Sequence, residues 1–372
     1  MIRVLHLYKA SMPESVGGTE RFIDQLARSC QKYDIETEVL SLANQPSNGP
    51  ISFNGYKKYL AKRDFDIASN SFSLDCFSIF KMLAMKADVI HYHFPWPFMD
   101  IVHLASKPAK PSLVTYHSDI YRQRFLMPIY RPLRDIFLTD INHIVATSPN
   151  YFASSKVLIK YRHKVSVIPI GLDRFTYSTP SAEKLSYWRK RLSPKFFLFV
   201  GVLRYYKGLN ILIEAAKGAN YPVVIVGSGP MEKDLKQQAE KLGLQNIYFL
   251  GHLPDEDKNA LLVLCFAVVF PSNVRSEAFG IFLLEGAMHG KPMISCEIET
   301  GTSFINVSNE TGLVVPPNDS AAFQNAMQYL WEFPQKAAEM GRSAEARYWQ
   351  YFTADSMADA YFDVYRGLLK NI

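Results

Sequence analysis

Residues Glu277 to Glu285 read E-A-F-G-I-F-L-L-E, two carboxylates bracketing an apolar stretch with Phe279-Gly280 just inside the first. The segment follows a strand-like run, Phe266-Ala267-Val268-Val269-Phe270, and its pattern predicts a helix over Ala278–His289 that Gly290 and Pro292 close. A helix start offers free backbone N–H groups and partial positive charge, which suit a phosphate. Flanking carboxylates are poor phosphate ligands but good acceptors for hydroxyls. The local chemistry therefore points to a phosphate that carries sugars.

Parallel sheets hold ligands beyond the carboxyl ends of their strands, and three further loops leave such ends with suitable residues. Lys9–Gly18 ends in Gly17-Gly18, where missing side chains permit close backbone approach to a ligand; a plain flexible turn is the bland alternative. Tyr116-His117-Ser118-Asp119 places an imidazole where it can donate to a hydroxyl or move a proton, although a lone histidine is more often a satisfied polar residue. Gly201-Val202-Leu203-Arg204-Tyr205-Tyr206-Lys207-Gly208 carries two cations before a helix, a pairing that can clamp a diphosphate or simply charge a helix start. Other patterns are weaker. Gly227-Ser228-Gly229-Pro230 lacks the third glycine of a dinucleotide fingerprint, and no P-loop is present. His91-Tyr92-His93 reads as two imidazoles on opposite strand sides without further ligands, which argues against zinc. Asp64-Phe65-Asp66 has metal-binding spacing but no clear strand leading into it, so a loop or surface pair is expected.

These loops need strands and helices to hold them. Apolar runs at Ile2–Tyr8, Glu36–Leu42, Ala87–His91, Ser112–Tyr116, His143–Thr147 and Val165–Ile168 read as strands, with helical patterns clearest at Glu20–Tyr33 and Ser73–Lys86. The rhythm repeats with strands at Phe196–Val200, Pro222–Val226, Ile247–Leu250, Phe266–Phe270, Pro292–Ser295 and Gly312–Val315. Helices are expected there over Gly208–Lys217, Pro230–Leu242 and Ser320–Trp331. Such alternation predicts an α/β protein of two Rossmann-like parallel-sheet domains facing across a cleft. At 372 residues two domains are the default, with a boundary near Pro169-Ile170-Gly171-Leu172, so residues 1–172 and 173–352. The last helix, about 353–372, either finishes the second domain or packs back on the first.

Charge is uneven along the chain. Residues 1–172 hold 21 Lys/Arg against 14 Asp/Glu, and residues 173–372 hold 20 against 21. The excess gathers around Arg122, Arg124, Arg131 and Arg134, and around Lys156, Lys160, Arg162 and Lys164. A solvated face is the bland reading; an anionic lipid surface or acidic acceptor is the sharper one. Nucleic acid is not expected, because no binding motif accompanies the charge. Four scattered cysteines without a CxxC pair read as reduced thiols in a cytoplasmic protein. No signal peptide or membrane-spanning run is seen.

Taken in order, the glycine loop, Y-H-S-D, L-R-Y-Y-K-G, V-G-S-G-P and E-x(7)-E resemble retaining glycosyltransferases of the GT-B fold, in glycosyltransferase family 4 (group 1). The resemblance covers essentially the whole chain. It implies that Glu277 and the backbone of Phe279, Gly280 and Ile281 face the donor sugar and its phosphate, and that Glu285 accepts from the ribose. It implies Arg204 and Lys207 at the diphosphate, Gly17 and Gly18 near the distal phosphate, His117 at the transferred sugar and Leu253 near the base. Many members have an arginine directly after the glycine that is Gly201 here; this chain has Val202, and Arg204 stands two residues on. The implied reaction keeps the anomeric configuration, with Arg204, Lys207 and the helix start stabilising the departing diphosphate and no metal or other cofactor expected.

Tyr92-His93-Phe94-Pro95-Trp96-Pro97 with Asp100, together with the L-R-Y-Y-K-G loop, resembles bacterial mannosyltransferases of O-antigen and exopolysaccharide assembly. That implies GDP-mannose as the nucleotide-sugar donor, with UDP-glucose, UDP-galactose or UDP-GlcNAc as alternatives. The implied acceptor is a polyprenyl-diphosphate-linked saccharide, met at the inner face of a membrane by peripheral attachment of the basic first half. A nucleotide-sugar epimerase and a non-catalytic nucleotide-sugar-binding module are the rival readings on the same fold.

Overall fold

The computed structural model describes residues 1–67, 70–120 and 127–370; Arg122 and Arg124, singled out above for their charge, lie outside these. Two units divide the chain, one of Met1–Leu172 with Thr353–Ile372 and one of Asp173–Phe352.

In the first unit the strands are β1 (Ile2–Leu7), β2 (Ile35–Ala43), β3 (Ile51–Phe53), β4 (Tyr56–Lys62), β5 (Phe65–Ile67), β6 (Asn70–Phe72), β7 (Val89–Phe94), β8 (Ser112–Tyr116), β9 (His143–Ala146) and β10 (Val165–Val167). Eight of them form one sheet in the order β10-β9-β8-β7-β1-β2-β4-β3. Only β3 runs antiparallel within it, as the outer arm of a hairpin with β4 turning at Asn54-Gly55, a pairing that simple strand–helix alternation does not announce. The chain enters at β1, builds outward through β2, then returns to the other side of β1 with β7. The switch point of this sheet therefore lies between β1 and β7, beyond whose carboxyl ends a crevice is expected.

Asp64 and Asp66 prove to belong to a second hairpin, with β4 ending at Lys62 just before them. Asp64 accepts from the Leu74 N–H and Asp66 from the Ser71 hydroxyl, so both carboxylates brace the turn. The terminal helix Ala354–Lys370 packs on the helix Gly18–Ser29, burying Met357, Ala358, Tyr361 and Tyr365. Val364 and Leu368 of the same helix are only half-buried.

The second unit holds β11 (Phe197–Val200), β12 (Val223–Val226), β13 (Ile247–Gly251), β14 (Ala267–Phe270), β15 (Met293–Cys296) and β16 (Gly312–Val315), all parallel in the order β13-β12-β11-β14-β15-β16. Its central strands are uninterrupted apolar runs, V-V-I-V and A-V-V-F, buried at every residue, as expected of strands covered on both faces. Here the switch point lies between β11 and β14, and the loops leaving these two strands are the Arg204–Lys207 loop and the segment leading into Glu277. All four cysteines are free and buried. Among the described residues no helix is long and apolar enough to cross a membrane.

Candidate active site

Beyond β11 the chain makes a single 3-10 turn, Tyr205–Lys207, and then starts the helix Leu209–Ala215 from Gly208. Gly208 sits at φ +63°, and a Cβ there would lie 2.0 Å from the Pro271 carbonyl oxygen. Only glycine lets the β11 and β14 loops approach this closely. The result is a half-buried ion pair, in which the Lys207 ammonium donates to Glu277 Oε2, with the Lys207 and Glu277 side chains 13% and 12% exposed. The Ser272 hydroxyl donates to the same oxygen at 3.3 Å, and the Phe270 ring lies 4.9 Å from Lys207 Nζ. Lysine and carboxylate thus arrive together at the switch point from residues 70 positions apart.

The helix after Glu277 begins later than its apolar pattern implied. It runs Ile281–Met288, and Gly280 at φ +95° is its N-cap, so Ala278 and Phe279 belong to the loop. The apolar residues at 278 and 279 mimic helix periodicity but pack as loop residues, with Gly301 N–H bonded to the Ala278 carbonyl at 2.8 Å. Leu283 and Leu284 N–H groups return to the Gly280 carbonyl, leaving the first-turn N–H groups of Ile281 and Phe282 for a ligand, as at any helix start. Glu285 lies one turn further and is buried; the Tyr177 hydroxyl donates to its Oε1 at 2.8 Å. Tyr177 and Ser272 are site residues that the sequence did not reveal. Tyr177 lies 108 positions away from its partner, with no local pattern to mark it.

Arg204 is exposed, and its guanidinium makes no hydrogen bond or ion pair among the described residues. Val202, which stands directly after Gly201, is 47% exposed. Leu253 is half-buried just beyond β13, the edge strand, two strands from the Lys207 loop. Lys207 and Glu277 are therefore in contact, whereas Arg204, Leu253 and Glu285 stand separately around the same sheet edge.

In the first unit Gly17 caps the helix Gly18–Ser29 with extended backbone, and Gly18 is exposed. The Glu20 carboxylate folds back over this start. It accepts from the Ser15 hydroxyl at 2.8 Å, and a Cβ on Gly17 would lie 2.5 Å from its Oε2. An anion reaching Gly18 thus meets a neighbouring carboxylate. His117 follows β8 directly, buried against the edge of the Phe22 ring at 5.0 Å.

His91 and His93 correct the sequence reading. Residues two apart on a strand share a face, and the two rings stack at 4.5 Å. His6 on β1 joins them, giving ring nitrogens of His6, His91 and His93 within 4.8 Å of one another. They are committed to hydrogen bonds as they stand. His91 bonds Tyr365 at 2.8 Å and Thr115 at 2.7 Å, and His6 Nδ1 lies 3.0 Å from His93 Nε2. Burial pushes the His6 and His117 pKa values down to about 3, and holds those of His91 and His93 well below the usual imidazole range.

Two predominantly parallel sheets of this topology, each with polar residues gathered at its switch point, have the architecture of the GT-B fold. The chain matches the Glycosyltransferase Family 4 model over residues 16–174 and the Glycosyl transferases group 1 model over residues 182–347, and it belongs to that family. It is 57% identical to the D-rhamnosyltransferase WbpZ of Pseudomonas aeruginosa over 95% of this chain and 93% of the other. It is 46% identical to O-antigen chain mannosyltransferase C of Escherichia coli, over the full length of both. Among solved structures, sucrose-phosphate synthase from Thermosynechococcus elongatus superposes with a TM-score of 0.81 at 18% identity over both whole chains. Anabaena HepE in complex with UDP-glucose does so at 0.79 and 20% identity, covering 99% of this chain and 100% of that one.

Proposed function

We propose that this glycosyltransferase moves a manno-configured hexosyl group from a GDP-sugar to a lipid-linked saccharide during O-antigen assembly, with retention of anomeric configuration. The observation that carries the proposal is the Lys207–Glu277 pair at the β11/β14 switch point, set directly before the Gly280-capped helix start. A cation, a carboxylate and free N–H groups at one sheet edge suit a sugar diphosphate. Lys207 and the helix start stabilise the departing diphosphate, and exposed Arg204 supplies the charge that Val202 lacks. Glu277, with Phe279, Gly280 and Ile281, meets the donor sugar and its phosphate, and Glu285, held by Tyr177, takes the ribose hydroxyls. No step is assigned to a metal ion.

Two relatives favour the manno configuration: a mannosyltransferase at 46% identity, and a D-rhamnosyltransferase at 57%. D-Rhamnose is 6-deoxy-D-mannose, so the two named sugars differ only by one hydroxyl. GDP-D-rhamnose, absent from the sequence-based expectation, therefore stands beside GDP-mannose as donor. Thermal-shift titration with GDP-mannose, GDP-D-rhamnose, UDP-glucose and UDP-GlcNAc tests this reading, because a ligand that binds only the folded protein raises apparent stability. A GDP-sugar should give the largest rise; stabilisation by UDP-sugars alone refutes it.

Peripheral membrane attachment is part of the proposal. On the helix Met127–Asp140, Ile129 and Ile136 are 82% and 58% exposed, and Ile159 on the neighbouring helix is 45% exposed. Arg131, Lys156, Lys160 and Arg162 in the same stretch of chain are exposed too, Lys160 paired with Asp135. Exposed apolar side chains with exposed cations on the same segments suit the boundary of an anionic leaflet.

A further inference from the structure

The carboxyl edge of the first sheet holds a chain of imidazoles, of which the roles implied so far use only His117. β1 and β7 pair with His6 opposite His91, and β7 and β8 pair with His93 opposite Thr115. This register brings His6 Nδ1 to 3.0 Å from His93 Nε2, and His93 Nδ1 to 3.2 Å from His117 Nε2. His6 and His93 are essentially inaccessible, and His117 terminates the row directly beyond β8. His117 Nδ1 makes no hydrogen bond among the described residues.

A neutral imidazole has one N–H and one lone-pair nitrogen. Two N–H···N bonds through three such rings leave just two arrangements. In one, each ring carries its proton on Nδ1: His6 donates to His93, His93 donates to His117, and His117 Nδ1 is a donor. In the other, each ring carries it on Nε2, both bonds reverse, and His117 Nδ1 is an acceptor. Mixed arrangements leave either two protons or two lone pairs facing each other in a buried, low-dielectric place, where an unmade hydrogen bond is costly. Burial disfavours the charged form of every ring in the row, which keeps this two-state logic intact at neutral pH.

We propose that His6 and His93 are positioning residues that tie the tautomer of His117 to their own, so that the sense in which its Nδ1 bonds the transferred sugar is set by the buried row as a whole. The proposal rests on the reading that His117 faces that sugar. A neutral ring of fixed polarity can bond a sugar hydroxyl without placing a cation beside the anomeric carbon, where positive charge develops during transfer. Neither His6 nor His93 needs to touch the substrate.

The test is nitrogen-15 NMR of the full-length protein labelled at histidine. Two-bond proton–nitrogen correlations at pH 7 assign each ring's tautomer, and His6, His93 and His117 should share one. Different tautomers among the three in the unsubstituted protein overturn the proposal, whatever any variant does. In His93→Phe the row is cut, so His117 should report a mixture of tautomers. Turnover should fall about tenfold, the scale of one neutral hydrogen bond, with KM for the donor little changed. His6→Phe, one ring further away, should do the same. A His117 tautomer unmoved by both substitutions also overturns the proposal. His117→Ala separates the two readings: full activity there removes His117 from the sugar, while the NMR pattern judges the coupling by itself.

Discussion

Acid should unfold the first unit before the second, and the histidine row sets the scale. His6 and His117 have folded pKa values pushed down to about 3, against 6.5 in an unfolded chain, and His91 and His93 are lowered too. A depressed folded pKa means that stability is complete above about 6.5 and is lost as pH falls toward 3, because the unfolded chain binds the proton first. At pH 5 the His6 and His117 rings therefore each cost about 2 kcal/mol, at roughly 1.4 kcal/mol per pH unit, and His91 and His93 add to the loss in the same direction. Asp100 opposes this. Burial raises its pKa to about 8, so its contribution grows as pH falls from 8 toward 4, and it returns about 3 kcal/mol between pH 7 and 5. The four rings together outweigh this return, against a whole-domain stability of only about 5–15 kcal/mol. His103 and His143 in the same unit are lowered by burial and add to the loss, whereas His289 is the lowered histidine of the second unit. The assay is hydrogen exchange read by mass spectrometry at pH 7, 6 and 5, corrected for intrinsic rates. Peptides from β1, β7 and β8 should lose protection first. Protection in these strands that is constant from pH 7 to 5, or lost first in β11 and β14, would refute the reasoning.

Three substitution experiments bear on the proposed roles. Lys207→Ala should lower kcat by about 10²–10³, the usual scale for removing one donor to a developing anion; a change under about threefold in a folded variant removes Lys207 from the leaving group. Tyr177→Phe should weaken donor binding by roughly tenfold through the lost hydrogen bond to Glu285, and Glu285→Ala should weaken it further; calorimetric titration showing unchanged affinity in both contradicts the ribose assignment. Flotation with anionic liposomes at low salt should carry the unsubstituted protein, and the pair Ile129→Asp with Ile136→Asp should abolish it. Absence of flotation for the unsubstituted protein removes the membrane from the account.

Fold and site were legible to different depths. Strands such as Val223–Val226 and Ala267–Phe270 are continuous apolar runs between turn residues, so they could be placed closely, and with them the loops that leave their carboxyl ends. The loops then exposed Lys207 and Glu277 as candidates, and the structure joins them. Local pattern misplaced the helix start at Ala278, because the left-handed backbone of Gly280 leaves no mark on hydrophobic periodicity. It also put His91 and His93 on opposite faces, where the period of two puts them together. His6 needed the β1–β7 register, which comes from sheet order and not from any nearby residue. Tyr177 was hidden for the same reason, since its partner is remote in sequence.

The most direct test of the central claim is transfer itself. The protein would be incubated with GDP-mannose, GDP-D-rhamnose or UDP-glucose and a polyprenyl-diphosphate-linked saccharide, and the product's anomeric configuration read by NMR. The account predicts product from a GDP-sugar, with the new linkage keeping the donor's configuration. Inverted product, or transfer from UDP-glucose alone, would contradict it.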